Sequence, residues 1–156
     1  MTETPIAPRA QTLAAQRAVN VLIRGLLRTP LLCRLVGRRL LTVYVVGRKT
    51  GRRLAIPVAY TPHDGALLVG TQFGWGRNLR TDEPVEIRPN GKRRTAGVQV
   101  IIDEAGVVDS YAIMCRDNHQ FAGFNNIRTD DAGEPDATDL HLAWTAGARA
   151  FRLTPR

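Results

Sequence analysis

From Leu40 onward the sequence consists of short β-branched and apolar runs separated by turn residues, and this pattern limits the fold most strongly. Such runs are typical of strands, which we expect over residues 41–46, 54–60, 66–71, 85–88, 95–102 and 148–153. Short connections such as His63-Asp64-Gly65 favour antiparallel hairpins, and Pro57 favours an edge or bulged position in its strand. The pattern therefore predicts an α+β fold built on a small antiparallel barrel rather than a βαβ nucleotide-binding fold.

Helical periodicity is confined to a few segments. Residues 12–28 predict an amphipathic helix with Arg17, Arg24 and Arg28 on its polar side, and a short apolar turn follows up to Val36. Further helices are expected over 104–116 and 140–145, a short helix or turn over 76–81, and a solvated acidic loop over 129–139. We expect one domain over 1–156, with residues 1–10 disordered, a helical segment over 12–36 and the barrel over 40–154.

Charge indicates an anionic partner. The formal net charge is +8, and no Asp or Glu occurs between Thr4 and His63, where eleven of the 22 Lys and Arg residues lie. The arginines of the N-terminal region interrupt every apolar stretch, so a transmembrane helix is not expected. Cys33 and Cys115 lie in no metal-ligand or disulfide spacing, which favours a cytoplasmic protein without a metal site.

The loop Gly47-Arg48-Lys49-Thr50-Gly51-Arg52-Arg53 is the first candidate binding segment. Its glycines allow a tight turn that exposes backbone N–H groups, its four cations supply charge, and its threonine supplies a hydroxyl donor, a combination that suits phosphate or carboxylate. An ordinary hairpin loop with solvated charges is the alternative interpretation.

The second candidate segment runs from Gly70 to Leu79, with three glycines and two aromatic residues. Glycines permit close approach of the backbone to a flat ring, Trp75 can pack beside that ring, and a helix N-terminus favours an anion. The alternative is a core tryptophan in a tight turn.

These two segments together resemble the deazaflavin (F420)-dependent nitroreductase family, split β-barrel oxidoreductases of actinobacteria. The similarity covers about residues 13–125 and depends on Gly47-Arg48-Lys49-Thr50-Gly51 and on Trp75-x-x-Asn78-Leu79. It implies a split β-barrel that binds coenzyme F420. The implied cofactor-binding residues are Arg48, Lys49 and Thr50 for the phosphate, with Arg52 and Arg53 beside them, Pro57 and Val58 along the ring, and Gly70, Thr71, Gln72, Trp75, Asn78 and Leu79 completing the pocket.

The resemblance also implies an activity, the transfer of a hydride from reduced F420 to a small lipophilic acceptor such as a quinone, nitro compound, enone or unsaturated lipid. Candidate proton donors or substrate contacts are Tyr60, Tyr111 and His119, although a buried tyrosine more often satisfies its hydroxyl within the core. A thiol–imidazole pair between Cys115 and His119 is disfavoured, because no third group is evident to orient the imidazole.

Other functions fit the same residues. FMN carries a phosphate that the Arg48-Lys49 loop could hold equally well, and a basic barrel could bind nucleic acid, although aromatic residues are only 6% and form no stacking platform. The helix over 12–28 could lie on an anionic membrane, but packing on the barrel with its arginines in water is favoured. Pairing into a homodimer through the sheet also remains open.

Overall fold

The computed structural model describes residues 40–156, which form an antiparallel half-barrel flanked by three helices. The strands are β1 Leu40–Val46, β2 Arg53–Ala59, β3 Thr61–His63, β4 Ala66–Thr71, β5 Val85–Pro89, β6 Arg94–Ile101 and β7 Arg149–Pro155. The helices are α1 Glu104–Asp117, α2 His119–Phe124 and α3 Ala137–Thr145, and a 3-10 helix spans Gly74–Asn78. The predicted N-terminal helix over 12–28 lies outside the described residues.

The sheet closes because its two end strands are neighbours in sequence. The strand order is β2-β1-β5-β6-β7-β4-β3, so β2 and β3 occupy opposite ends of the sheet. Only Tyr60 separates Ala59 from Thr61, which limits the Cα–Cα distance between the two strand ends to about 7 Å. The sheet must therefore curl until its ends meet, and the predicted α+β fold with a small antiparallel barrel is confirmed.

Curling gives the sheet an inner and an outer core. On the concave face, Val43, Val69, Ile87, Phe151 and Leu153 are fully or almost fully buried, and together they fill the barrel. Alternation along each strand places the neighbouring residues on the convex face.

The convex face is covered by the helices. The side chains of Tyr111, Met114 and Cys115 in α1 pack against Leu68 and Ala150 of the sheet. None of the helices within residues 40–156 is long and apolar enough to cross a membrane.

Several strand and helix predictions are confirmed, and others need correction. Pro57 lies in β2, an end strand of the sheet, which confirms the edge position that the proline predicted. The strand predicted over 54–60 is confirmed as β2, which pairs with β1, but the short strand β3, which pairs with β4, was not predicted. Helix α2 was not predicted, although Asn118 gives it a recognisable cap by accepting a hydrogen bond from the Gln120 N–H.

The predicted loop over 129–139 is more ordered than its acidic composition suggests. Asp136 caps α3, which begins at Ala137 and not at the predicted 140. Asp139 accepts hydrogen bonds from the backbone N–H and guanidinium of Arg128, and this pairing lowers the pKa of the Asp139 carboxyl. Glu134 binds Arg116 of α1 through both oxygens. The carboxylates of this segment therefore hold it against the helices.

Gly70 of β4 provides a test of the packing between the sheet and α1. A Cβ atom there would lie 2.7 Å from Cε1 of the buried Tyr111 ring and 3.0 Å from Cε of Met114. Gly70→Ala should lower the free energy of unfolding by about 1–3 kcal/mol in urea denaturation, because neither buried side chain has free space to move into. Gly74→Ala is the control, since a Cβ at Gly74 meets nothing within 4 Å; equal stability of the two variants would contradict this packing.

Candidate functional site

The two segments singled out from the sequence meet at Asn78. Its side-chain oxygen Oδ1 accepts a hydrogen bond of 3.3 Å from the backbone N–H of Arg48, thirty residues away. Its Nδ2 donates to the carbonyl of Trp75 at 3.0 Å, within the 3-10 helix. Asn78 therefore ties the Gly47–Arg53 loop to the Trp75 turn, which brings the two motifs into one site.

The loop is held by its own backbone. The Gly47 N–H donates to the Arg52 carbonyl at 2.8 Å, and the Gly51 N–H donates to the Gly47 carbonyl at 2.9 Å. Gly51 has a φ of +65°, a conformation that favours glycine. The Arg52 N–H donates to Oγ1 of Thr50 at 3.3 Å.

These bonds correct one expectation about how the loop would bind an anion. The N–H groups of both glycines are used inside the turn, so they are not the exposed donors that the sequence suggested. The turn presents side-chain donors to solvent, since Arg48, Lys49, Thr50 and Arg52 are all exposed.

A cavity of about 690 Å³ opens beside the loop, within the size range of small-molecule sites. It is enclosed by the end of β1, the loop, the residues after the 3-10 helix and the start of β5. Its lining consists of Tyr44, Val45, Val46, Gly47, Arg48, Gly51, Arg53, Asn78, Leu79, Arg80, Glu83, Pro84, Val85 and Glu86. Buried Val45, Leu79 and Val85 give it an apolar floor below a charged rim.

The basic residues at the cavity and its loop differ in whether a carboxylate neutralises them. No carboxylate of residues 40–156 lies within salt-bridge distance of the Arg48, Lys49 or Arg80 side chains. By contrast, Arg53 is bound to Glu86 and stacks over the Tyr44 ring at 4.7 Å. An anion therefore finds unneutralised charge at Arg48 and Arg80, whereas Arg53, also predicted to bind the cofactor, already has a partner.

Most other predicted cofactor residues lie away from this cavity. Pro57 and Val58 are half-buried in β2, opposite Thr42 and Leu41 of β1. Gln72 is exposed beyond the end of β4. Of the predicted set, the structure brings Arg48, Arg53, Asn78 and Leu79 into the lining, with Lys49, Thr50 and Arg52 on the adjoining loop.

The predicted pocket residues of the second segment have packing contacts instead. Gly70 lies against the Tyr111 ring, and Thr71 is buried, its Oγ1 accepting from the Phe73 N–H at 3.0 Å. Trp75 stacks on Phe151 of β7 with 6.1 Å between ring centroids. Trp75 thus anchors the 3-10 helix to the inner core and leaves Asn78 in position to hold the loop.

The three candidate proton donors do not share a site. Tyr60 is buried in the inner core, and Tyr111 in the outer core on the other face of the sheet. The Tyr111 hydroxyl donates to the Arg149 carbonyl at 3.5 Å, and burial raises its pKa well above the ordinary value. His119 is exposed beside Gly133. None of the three lines the cavity.

Cys115 and His119 are not a reactive pair. Helix α1 ends at Asp117, so the two residues lie on different helices, and no hydrogen bond joins them. Cys115 is fully buried, and desolvation raises the pKa of its thiol to about 11. Within residues 40–156, no cluster of His, Cys, Asp and Glu could hold a metal ion.

Four polar residues of the lining were not identified from the sequence: Tyr44, Arg80, Glu83 and Glu86. Tyr44 lies directly opposite Glu86 in the β1–β5 pairing. The outward position of Tyr44 follows from the alternation of β1, but its pairing with Glu86 depends on a register between strands some forty residues apart. No local sequence pattern predicts such a register.

Comparisons with known proteins find distant similarities among solved structures. No protein-family model and no curated protein matches the sequence. Among solved structures, the chain is similar to HutZ, a heme storage protein from Vibrio cholerae, at 14% identity over 76% of this chain and 82% of that chain, with a TM-score of 0.49. It is also similar to a pyridoxamine 5'-phosphate oxidase-related, FMN-binding protein from Nostoc punctiforme, at 16% identity over 99% and 83%, with a TM-score of 0.49. These likenesses are too distant to indicate a ligand.

Removal of the Asn78 side chain should loosen the loop. In Asn78→Ala, the Arg48 amide loses its acceptor and should exchange with solvent about two- to tenfold faster, as expected for loss of one hydrogen bond. Hydrogen exchange followed by NMR measures this rate. Asn125→Ala is the matched control, because it removes another Asn side-chain bond, to the Phe121 carbonyl in α2. Unchanged exchange at Arg48 in Asn78→Ala would contradict the role of Asn78.

Proposed function

We propose that the cavity beside the Gly47–Arg53 loop binds a phosphate-bearing cofactor of the flavin type, FMN or coenzyme F420, and that the domain is an oxidoreductase. One observation carries this proposal: Asn78 fixes a turn whose Arg48 lines the cavity, and no carboxylate of the described residues lies within salt-bridge distance of the Arg48 guanidinium. An unneutralised guanidinium on a backbone fixed by Asn78 suits a phosphate, which it can bind through two parallel hydrogen bonds.

The residues present fit such a cofactor. Arg48 supplies charge from the loop and Arg80 from the segment after the 3-10 helix, while Thr50 can donate its hydroxyl hydrogen. The apolar floor formed by Val45, Leu79 and Val85 suits a flat ring. The protein would bind and orient the cofactor and keep water from the ring.

When bound, the cofactor supplies a hydride to an organic acceptor, and a proton from solvent completes the two-electron reduction. The acceptor class that we propose is small and lipophilic, such as a quinone. No side chain needs to act as an acid in this scheme, which agrees with the separate and distant positions of Tyr60, Tyr111 and His119.

The two cofactors have a similar ring and the same ribityl phosphate, and they differ beyond the phosphate group. FMN ends at its phosphate, whereas F420 continues into a chain with several carboxylates. The resemblance in the Gly47–Gly51 and Trp75–Leu79 motifs favours F420, while the loop itself requires only the shared phosphate. Binding measurements with both cofactors separate these two cases.

Arg48→Ala tests the proposal. Titration of the wild-type protein with FMN and with reduced F420, followed by fluorescence, should give saturable binding of at least one of them. The variant should bind that cofactor about 10- to 100-fold more weakly, because a charge-assisted contact to the phosphate is lost. Addition of menadione to the complex with the reduced cofactor should then oxidise the cofactor.

Arg94→Ala is the matched control. Arg94 is an exposed arginine at the start of β6 that does not line the cavity, so its loss should leave the dissociation constant within about twofold. Absence of binding to both cofactors, or an equal loss in the two variants, would overturn the proposal. Binding of an oligonucleotide in place of either cofactor would favour the nucleic-acid alternative.

A further inference from the structure

An ionic cluster beside the cavity bears on which anions the site accepts: Tyr44, Arg53 and Glu86 line the cavity, and Arg93 is bound to Glu86. Glu86 lies at its centre: one of its oxygens binds the Arg53 guanidinium, and the other lies 3.3 Å from Nε of Arg93. Both guanidiniums also lie over the ring of Tyr44, at 4.7 and 5.4 Å from its centroid. Four side chains from β1, β2, β5 and the turn between β5 and β6 therefore form one arrangement around a single carboxylate.

The cluster is partly shielded from water. The Glu86 side chain is 34% exposed, compared with 52% for Arg53 and 61% for Arg93. The β1–β5 pairing places Glu86 directly opposite Tyr44, so the sheet sets the position from which the Glu86 side chain reaches the two arginines. The Tyr44 ring contributes a cation–π contact to each guanidinium.

We propose that Glu86 sets the anion selectivity of the cavity by keeping Arg53 and Arg93 occupied. A second anionic group that enters beside Arg53 must compete with Glu86 for that guanidinium, and for Arg93, which Glu86 binds through its other oxygen. A ligand with one phosphate needs only the unneutralised Arg48 and Arg80. Glu86 therefore weakens the binding of such a ligand less than it weakens the binding of a ligand with a second anionic group. The site then favours a phosphomonoester over a pyrophosphate or a chain of carboxylates. This inference rests on the proposed phosphate site.

For the cofactor, this selectivity favours FMN, which ends at one phosphate, over F420, whose charge continues beyond it, and so opposes the preference that the motif resemblance gave. The Glu86 carboxylate would repel the added anionic groups as well as withhold the arginines that could bind them. Glu86 is thus a specificity-determining residue on the rim, distinct from the Arg48 loop that holds the phosphate.

Glu86→Gln tests the proposal with inorganic anions as probes. Calorimetric titration of the full-length protein with phosphate and with pyrophosphate compares one anionic group with two. The variant keeps the side-chain shape but frees both arginines, so it should bind pyrophosphate at least about tenfold more tightly than wild type does. Phosphate affinity should rise by less than about threefold. Adding Arg93→Ala to the variant should remove most of the gain in pyrophosphate affinity.

Glu134→Gln is the matched control, because it breaks a comparable arginine–glutamate pair, with Arg116, elsewhere on the surface. It should leave both affinities unchanged. Unimproved pyrophosphate binding by Glu86→Gln, with a circular dichroism spectrum like that of wild type, would overturn the proposal; so would an equal gain for both anions. Because the probes carry no ring, these results do not depend on whether FMN or F420 binds.

If Glu86→Gln fails to fold, the Arg Nε–H NMR signals of the wild-type protein provide a second test. Pyrophosphate that shifts the Arg93 signal as much as the Arg48 signal would overturn the proposal. Shifts at Arg48 alone would support it.

Discussion

The link between β2 and β3 is the constraint on which the rest of the structure depends. A seven-stranded antiparallel sheet could lie open, but here its two end strands are joined through Tyr60 alone, so the sheet has to curl. Curling encloses the inner core around Val43, Ile87 and Phe151 and leaves the convex face for the helices. The free energy of burying these two apolar clusters then stabilises the closed shape that the short connection requires.

The site follows from that closure. Phe151 in the inner core supports Trp75, Trp75 anchors the 3-10 helix, and Asn78 at the end of this helix holds the Arg48 loop. The loop residues themselves are exposed and would otherwise be an ordinary charged turn. Each step connects a buried contact to a more exposed one, so the interior of the barrel positions the exposed loop that we propose as the anion site.

The sequence predicted local features well. The strand runs, the Asp64-Gly65 turn, helix α1 and the charged loop all have signals within a few residues, such as alternation, turn residues or a cap. The features that it could not predict depend on distant partners. The pairing of β4 with β7 and the register that places Tyr44 opposite Glu86 are set by tertiary packing. For the same reason Arg53 was predicted as a cofactor-binding residue without its partner Glu86, and the acidic residues near Asp139 were predicted to be solvated.

The most direct test of the site is a map of amide chemical shifts of the ¹⁵N-labelled protein, titrated with whichever of FMN and F420 binds more tightly. We expect the largest shifts on residues 47–52 and on Asn78, with little change at Tyr111 and His119. Shifts confined to another surface, such as the exposed side of β6 and β7 around Gln99 and Arg152, would contradict a cofactor site at the Arg48 loop.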